Sequence, residues 1–230
     1  MRTPGKRRAI AIARLVAAVT VMGLVAGPRP APGSAPAIEA LVTDEKGKPV
    51  AEAVVYLAGG AAGGPSSRTA IIDQIDREFV PAVTAVEVGT AITFPNRDNI
   101  KHHVYSFSAP KKFELPLYTG TPASPVVFDR PGVVVLGCNI HDWMAAYVFV
   151  LPTTSFAKTG DDGRALIKDA PAGEREVRVW HPRLSVATET TGQTVTVGGS
   201  GPAQVAFKVA LKREWKRQRP TDRRYDREGA

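Results

Sequence analysis

The chain predicts an all-β fold, built as two β-sandwiches behind an N-terminal signal segment. Three observations carry that expectation. Between residues 38 and 211 the apolar residues come in short runs punctuated by Gly, Pro, Asp and Asn turn signals. The runs Thr194-Val195-Thr196-Val197 and Val205-Ala206-Phe207-Lys208-Val209 alternate polar with apolar, the period of a half-buried strand. A Gly/Ala/Pro/Ser stretch from Gly59 to Ser67 then divides a first pair of strands from the middle of the chain.

Residues 38–60 open with Ile38 to Thr43. A turn follows at Asp44-Glu45-Lys46-Gly47-Lys48-Pro49, then Val50 and Ala53 to Leu57, giving two strands about a Gly-Pro turn. Residues 67–152 contain runs such as Val83-Thr84-Ala85-Val86 before Gly89 and Val126-Val127-Phe128 before Pro131-Gly132. That spacing suits an antiparallel sandwich. Residues 153–211 differ in texture: Thr159-Gly160-Asp161-Asp162-Gly163 leads to Arg164 to Ile167, then Asp169 to Gly173, then Val177-Arg178-Val179-Trp180. This pattern resembles the second half of the small transthyretin-like sandwiches found beside carboxypeptidases. Val42-Thr43-Asp44, Gly47-x-Pro49-Val50 and Ala53-x-Val55 resemble the first half. The resemblance implies one such sandwich, divided between 38–60 and 153–211, with the middle segment inserted between its halves. A single extended sandwich through both is the alternative. From Lys212 to Ala230 the chain is charged and poor in aliphatic residues, the composition of a tail that frays after a short helix.

The net charge of +8 comes from the two ends. Six of the 30 basic side chains (Arg2, Lys6, Arg7, Arg8, Arg14 and Arg29) and none of the 22 acids lie in residues 1–37, leaving 24 basic against 22 acidic. Residues from Lys212 onward hold eight basic and four acidic side chains, so residues 38–211 carry about −2. Such a balance gives no reason to expect a nucleic-acid partner. Residues 1–37 have the parts of a signal peptide: the basic Lys6-Arg7-Arg8, an apolar Leu15 to Ala26, and a small-residue exit at Ala35-Pro36-Ala37. The apolar part is short for a membrane span and Gly27-Pro28 follows it, although an uncleaved anchor is the alternative. Export places the single cysteine in an oxidising compartment, where it has no internal partner for a disulfide.

That cysteine heads Cys138-Asn139-Ile140-His141-Asp142-Trp143-Met144, with Val133 to Leu136 leading in and Tyr147 to Leu151 leading out. The pattern reads as strand, tight loop, strand, with a thiolate, an imidazole and a thioether at three-residue intervals. A His₂Cys set with a weak axial Met is the ligand set of a blue-copper site. Lys101-His102-His103-Val104 supplies the second histidine, and because neighbours on a strand face opposite ways, only one of His102 and His103 can join Cys138. Zinc takes four Cys/His ligands in structural sites and rarely a thioether, and a binuclear copper centre needs a second cysteine. No Gly-x-Ser-x-Gly, phosphate loop or His-Glu-x-x-His is present. A Cys138–His141 nucleophilic pair would leave the methionine without a role.

Cys138-x-x-His141-x-x-Met144 resembles the copper loop of the cupredoxins, and its spacing is nearest to that of the amicyanins. Val88-Gly89-Thr90, Phe94-Pro95-Asn96-Arg97-Asp98 and His102-His103-Val104 resemble that family's first-histidine region. The resemblance implies a Greek-key cupredoxin sandwich over 67–152 holding one type 1 copper at His102, Cys138, His141 and Met144. It makes His102 the ligand, puts His103 in the next slot and packs Val104 inward. It also implies a non-enzymatic, periplasmic or secreted carrier of single electrons, exchanging them with a redox partner such as a cytochrome or dehydrogenase. The alternative is a non-redox copper carrier, or an adaptor whose copper is structural. Trp143, Ile140 and Phe113 are candidates to shield the metal, Asn139 marks where a loop amide could meet the thiolate, and Asn96 and Asp98 suit the turn at the strand entry. His181, between Trp180 and Pro182, reads as structural or surface.

Overall fold

The structure, a computed structural model, describes residues 35–59, 67–198 and 201–213. The signal peptide expected at 1–37, the linker expected from Gly59 to Ser67, and the short helix and tail expected from Lys212 lie almost wholly outside the described residues. Among these residues the fold is all-β, as expected; a 3₁₀ turn at Thr188–Thr191 is their one helical element, and no helix is long and apolar enough to cross a membrane.

Strands β1 (Ile38–Asp44) and β2 (Val54–Leu57) come first. The middle of the chain gives β3 (Thr69–Ile71), β4 (Asp73–Ile75), β5 (Glu78–Val80), β6 (Val83–Glu87) and β7 (Thr90–Thr93). It continues with β8 (His102–Ser106), β9 (Phe113–Tyr118), β10 (Val126–Phe128), β11 (Gly132–Gly137) and β12 (Ala145–Leu151). The last strands are β13 (Phe156–Lys158), β14 (Arg164–Ile167), β15 (Gly173–Trp180), β16 (Gln193–Val197) and β17 (Ala203–Val209).

At the end of β1 the Asp44 carboxylate accepts the backbone N–H groups of Lys46 and Lys48, both at 2.9 Å, and Gly47 takes φ +81°, the conformation that favours glycine. The turn folds Lys48–Val50 back along the end of β1, with Asp44 N–H to Lys48 O at 2.8 Å and Val50 N–H to Val42 O at 3.0 Å, but it does not pair β1 with β2. β1 joins the sheet β14-β1-β17 and β2 the sheet β13-β2-β15-β16, and the two face each other across a core that includes Ile38, Val42, Val55, Val179 and Phe207. Both sheets thus take strands from before and after the middle segment.

The middle segment forms a sandwich of its own, β6-β12-β11-β8-β9 against β10-β7-β3, around Ile92, Phe94, Val104, Phe128, Leu136 and Val148. The expectation of an antiparallel sandwich needs correction. β6 pairs with β12 in parallel from Val83↔Tyr147 to Glu87↔Leu151, and β3 pairs with β7 in parallel. Turn signals report hairpins between consecutive strands, whereas parallel neighbours are joined by long crossovers that leave no local mark.

Two further features hold the sheets and their loops in place. β4 and β5 form a separate two-stranded hairpin whose turn residues, Asp76 and Arg77, both adopt left-handed φ (53° and 59°), as a two-residue hairpin of type I′ demands. It is fastened to the loop after β7 by Gln74 N–H to Pro95 O at 2.8 Å and Arg97 N–H to Gln74 O at 2.9 Å. The second feature is β12, which is apolar on both faces. Val148 and Val150 point into the inner core, while Phe149 and Leu151 pack with Val83, Val54 and Trp180. The Phe149 ring meets Tyr56 edge-on at 5.4 Å and Trp180 at 4.9 Å. The outer faces of the two central sheets therefore form a third apolar layer, and the sheets stack four deep. Trp180→Ala should cost about 3–5 kcal/mol, as for other buried large-to-small changes, read by urea unfolding; a loss below about 1 kcal/mol, the size of an ordinary surface effect, would show that the layer contributes little.

Candidate metal centre

Strand β8 delivers His102. It pairs with β9 at His102↔Tyr118 and Val104↔Leu115, so the extra residue of the bulge lies on β9 and the alternation of β8 is unbroken. His102 and Val104 are both fully buried on the inward face. His103 points the other way, with Nε2 at 2.8 Å from Glu114 Oε1 and its ring 5.5 Å from that of Tyr105.

The second arm is the loop between β11 and β12. Gly137 and Ala145 are the last paired residues of those strands, and Met144 N–H donates to His141 O at 2.9 Å, so residues 138–144 fold back tightly on themselves. Gly137 is required by a close approach: a Cβ there would stand 2.8 Å from the Tyr105 ring. The loop presents Cys138 (3% exposed) and His141 (5% exposed) to His102.

The candidate donor atoms of His102, Cys138 and His141 all lie within 4.8 Å of one another. His102 Nδ1 is 3.1 Å from His141 Nδ1, and Cys138 Sγ is 3.6 Å from the same His141 nitrogen. A single ion with metal–nitrogen bonds of about 2.0 Å and a metal–sulfur bond of about 2.3 Å, near the tetrahedral angle, needs separations of about 3.3 and 3.6 Å. The His102–His141 and Cys138–His141 separations are close to those one metal ion imposes. Met144 is 2% exposed and belongs to the same apolar cluster as Cys138.

Neighbouring groups fix the donors' states. Asp98 Oδ2 lies 2.7 Å from His102 Nε2. A carboxylate only accepts, so Nε2 carries the proton and a neutral His102 turns the Nδ1 lone pair toward Cys138 and His141. Asp98 is itself held by the N–H groups of Asp76 (2.8 Å) and Arg77 (2.9 Å). Burial raises its pKa, but the Arg77 amide, His102 and the Asp76 amide outweigh burial and leave it below the usual carboxylate range. For His102, burial lowers the pKa, yet the Cys138 sulfur and Asp98 together carry it above its ordinary value. Burial likewise raises the Cys138 thiol, while His102 and the backbone amides of His103, Ile140 and His141 bring it below its ordinary value, toward the thiolate that binds metals. The contacts expected near Asn139 thus come from its two successors and from His103 on β8.

Asn96 does what its turn position implied: its side chain donates to Ile100 O and Tyr118 O, both at 2.8 Å, and accepts Asp98 N–H at 3.0 Å. Asp98 does more than shape that turn, and its spacing four residues before His102 was the available signal. The Trp143 ring lies 5.1 Å from that of His141, and Ile140 beside it is 43% exposed. Phe113 instead stacks into the core, 5.7 Å from Phe94 and 6.0 Å from Phe128. His181 follows β15 in the other sandwich. Its Nδ1 accepts the Arg183 N–H at 3.1 Å, and burial followed by the Arg183 charge brings its pKa down to about 4.

No protein-family model and no curated protein matches this chain. Among solved structures, a reduced mutant of amicyanin is similar at 20% identity, over 42% of this chain and 98% of that one, with a TM-score of 0.33. An oxidised mutant of amicyanin gives the same values. A copper-containing nitrite reductase from Thermus scotoductus is similar at 24% identity over 49% of this chain, with a TM-score of 0.34, and this chain spans 28% of its length. At that level the reading of the site stands on its own donor geometry.

Proposed function

We propose that this protein is an exported, mononuclear type 1 copper protein that carries single electrons, with His102, Cys138, His141 and Met144 as ligands. One observation carries the reading: two imidazoles and one cysteine sulfur, all buried, converge within 4.8 Å, with His141 Nδ1 at 3.1 Å from His102 Nδ1 and 3.6 Å from the sulfur, close to what a shared ion requires. Nitrogen and thiolate donors with a thioether in the same apolar cluster suit copper better than zinc, which in structural sites takes four Cys or His ligands. Bound there, copper would supply a one-electron couple.

The chain's own residues make that couple usable. Asp98 holds the His102 ring, three nearby amides favour the charged form of the sulfur, and the hydrogen bond from Met144 N–H to His141 O closes the loop, which limits how far the imidazoles can rearrange when charge changes. Burial keeps water from the remaining coordination position. Among the described residues this is the one such group of ligating side chains. Ile140 and Trp143, beside His141, offer a docking point for a periplasmic redox partner such as a cytochrome or dehydrogenase; nothing in the charge pattern calls for nucleic acid.

Titration with Cu(II), followed by voltammetry, tests the reading. The expected result is one equivalent of tightly held copper, an intense visible band and fast electron self-exchange. Copper that leaves readily to a chelator and exchanges electrons slowly would make the protein a carrier of the metal instead. Met144→Leu should retain copper and the band while raising the reduction potential, because a donor to Cu(II) is lost; release of copper would show that the thioether is not a weak axial ligand.

A further inference from the structure

We propose that the tip of the β4–β5 hairpin is a clamp that positions both arms of the metal centre through one residue, Arg77, with Asp98 and Trp143 as its two positioning contacts. The inference rests on the reading that His102, Cys138 and His141 hold a metal.

The His102 arm is held through Asp98. Its two carboxylate oxygens take three donors: Asp76 N–H on Oδ1, and Arg77 N–H and His102 Nε2–H on Oδ2. The loop arm is held through Trp143, whose indole Nε1–H donates to the Arg77 carbonyl at 3.2 Å and whose ring lies 5.1 Å from that of His141. Arg77 therefore donates toward His102 with its N–H and accepts from the His141 side with its C=O. The left-handed conformation of both turn residues aims the amides of Asp76 and Arg77 at one carboxylate.

A clamp needs a fixed base, and the hairpin has one. Besides the Gln74–Pro95 and Arg97–Gln74 backbone bonds, Arg97 Nε meets Asp73 Oδ1 at 2.9 Å. The loop that carries Asp98 and the hairpin that holds it are thus one unit, built outside both large sheets. Displacing the tip shifts the brace on His102 and the support of the Cys138–Met144 loop together, so the two contacts act as a coupled pair rather than as independent props.

A double-mutant cycle tests this with Asp98→Asn and Trp143→Phe. Asparagine offers one acceptor oxygen, so it must set an amide N–H against at least one of the three donors. Phenylalanine keeps a ring beside His141 but removes the indole N–H. Two measurements are made: hydrogen exchange of the Asp76 and Arg77 amides in the metal-free protein, and the rate of Cu(II) loss to a chelator. Trp143→Phe should speed exchange at Asp76 and Arg77, although the bond it removes is to a carbonyl. Asp98→Asn should speed copper loss about 10–100-fold, and the double variant should lose copper more slowly than the product of the two single effects predicts. Glu78→Gln, an exposed change on β5 outside the chain of contacts, should leave both readouts at the wild-type level. Wild-type exchange in Trp143→Phe, single effects that multiply, or a large effect of Glu78→Gln would each overturn the clamp. A wild-type protein that takes up no copper refutes the copper reading, while amide exchange in the metal-free protein still decides the clamp; that measurement on Trp143→Phe also decides it if Asp98→Asn does not fold.

Discussion

Cys138→Ser is expected to remove the visible colour of the Cu(II)-loaded protein completely. The band in question needs a thiolate donor, and Cys138 is the only cysteine in the chain. It is also the one sulfur placed 3.6 Å from an imidazole nitrogen that itself faces a second imidazole. Serine is close in volume, so the loop between the paired Gly137 and Ala145 should survive the change, and the His103, Ile140 and His141 amides can still meet an oxygen. Loss of colour should therefore come without loss of fold, checked by unchanged far-ultraviolet circular dichroism. A wild-type copper complex without colour, or colour that persists in the serine variant, would sink the type 1 assignment.

The second large effect separates two adjacent histidines. His102→Gly should destroy the coloured site, and added imidazole should restore it. The removed ring is fully buried, so its loss opens a ring-sized space, and Asp98 remains to orient an imidazole that enters. His103→Asn should leave the colour intact and alter only the potential or the exchange rate, because that ring faces Glu114. Its backbone amide, which helps hold the Cys138 sulfur, is retained in the variant. The reverse result would mean that the metal-bound protein shifts β8 by one residue, carrying every side chain on it to the opposite face.

Much of the centre was legible because its information is local. The spacing Cys138-x-x-His141-x-x-Met144 lies within one short loop, and the loop closes on itself. His102 is preferred because the cupredoxin resemblance places an apolar residue two positions after the ligand, and Val104 at that position is fully buried in the structure. Asp98 was legible as a turn former but not as the partner of His102, since the loop between them is irregular and no periodicity fixes which side chains meet. The hairpin tip was beyond reach: two backbone amides and a carbonyl do its work, and backbone groups have no sequence signature. The parallel pairs β6–β12 and β3–β7 were not legible, since turn chemistry marks only neighbours that follow one another in the chain. One signal was present and unused. Tyr147-Val148-Phe149-Val150-Leu151 is apolar without alternation, the mark of a strand covered on both faces, and it foretells the layer formed with Val54 and Trp180.

The placement of β1 at the centre of its sheet has a consequence for the order of assembly. β1 emerges first from the ribosome, yet its neighbours β14 and β17 are among the last strands made, with Ile38 opposite Ile167 on one side and Ala203 on the other. The inner sandwich draws all its strands from one continuous stretch, so it can close while the outer one is still waiting. Its closure in turn brings the chain back to its starting point. Leu57 N–H reaches Ser155 O at 3.0 Å, and β13 lies directly along β2. A long, entropically costly loop between β2 and β13 is thereby replaced by a folded body whose two ends already meet. The metal-binding half serves as the template on which the other half completes itself, so a lesion in the inner core should first be seen as an outer sandwich that fails to close.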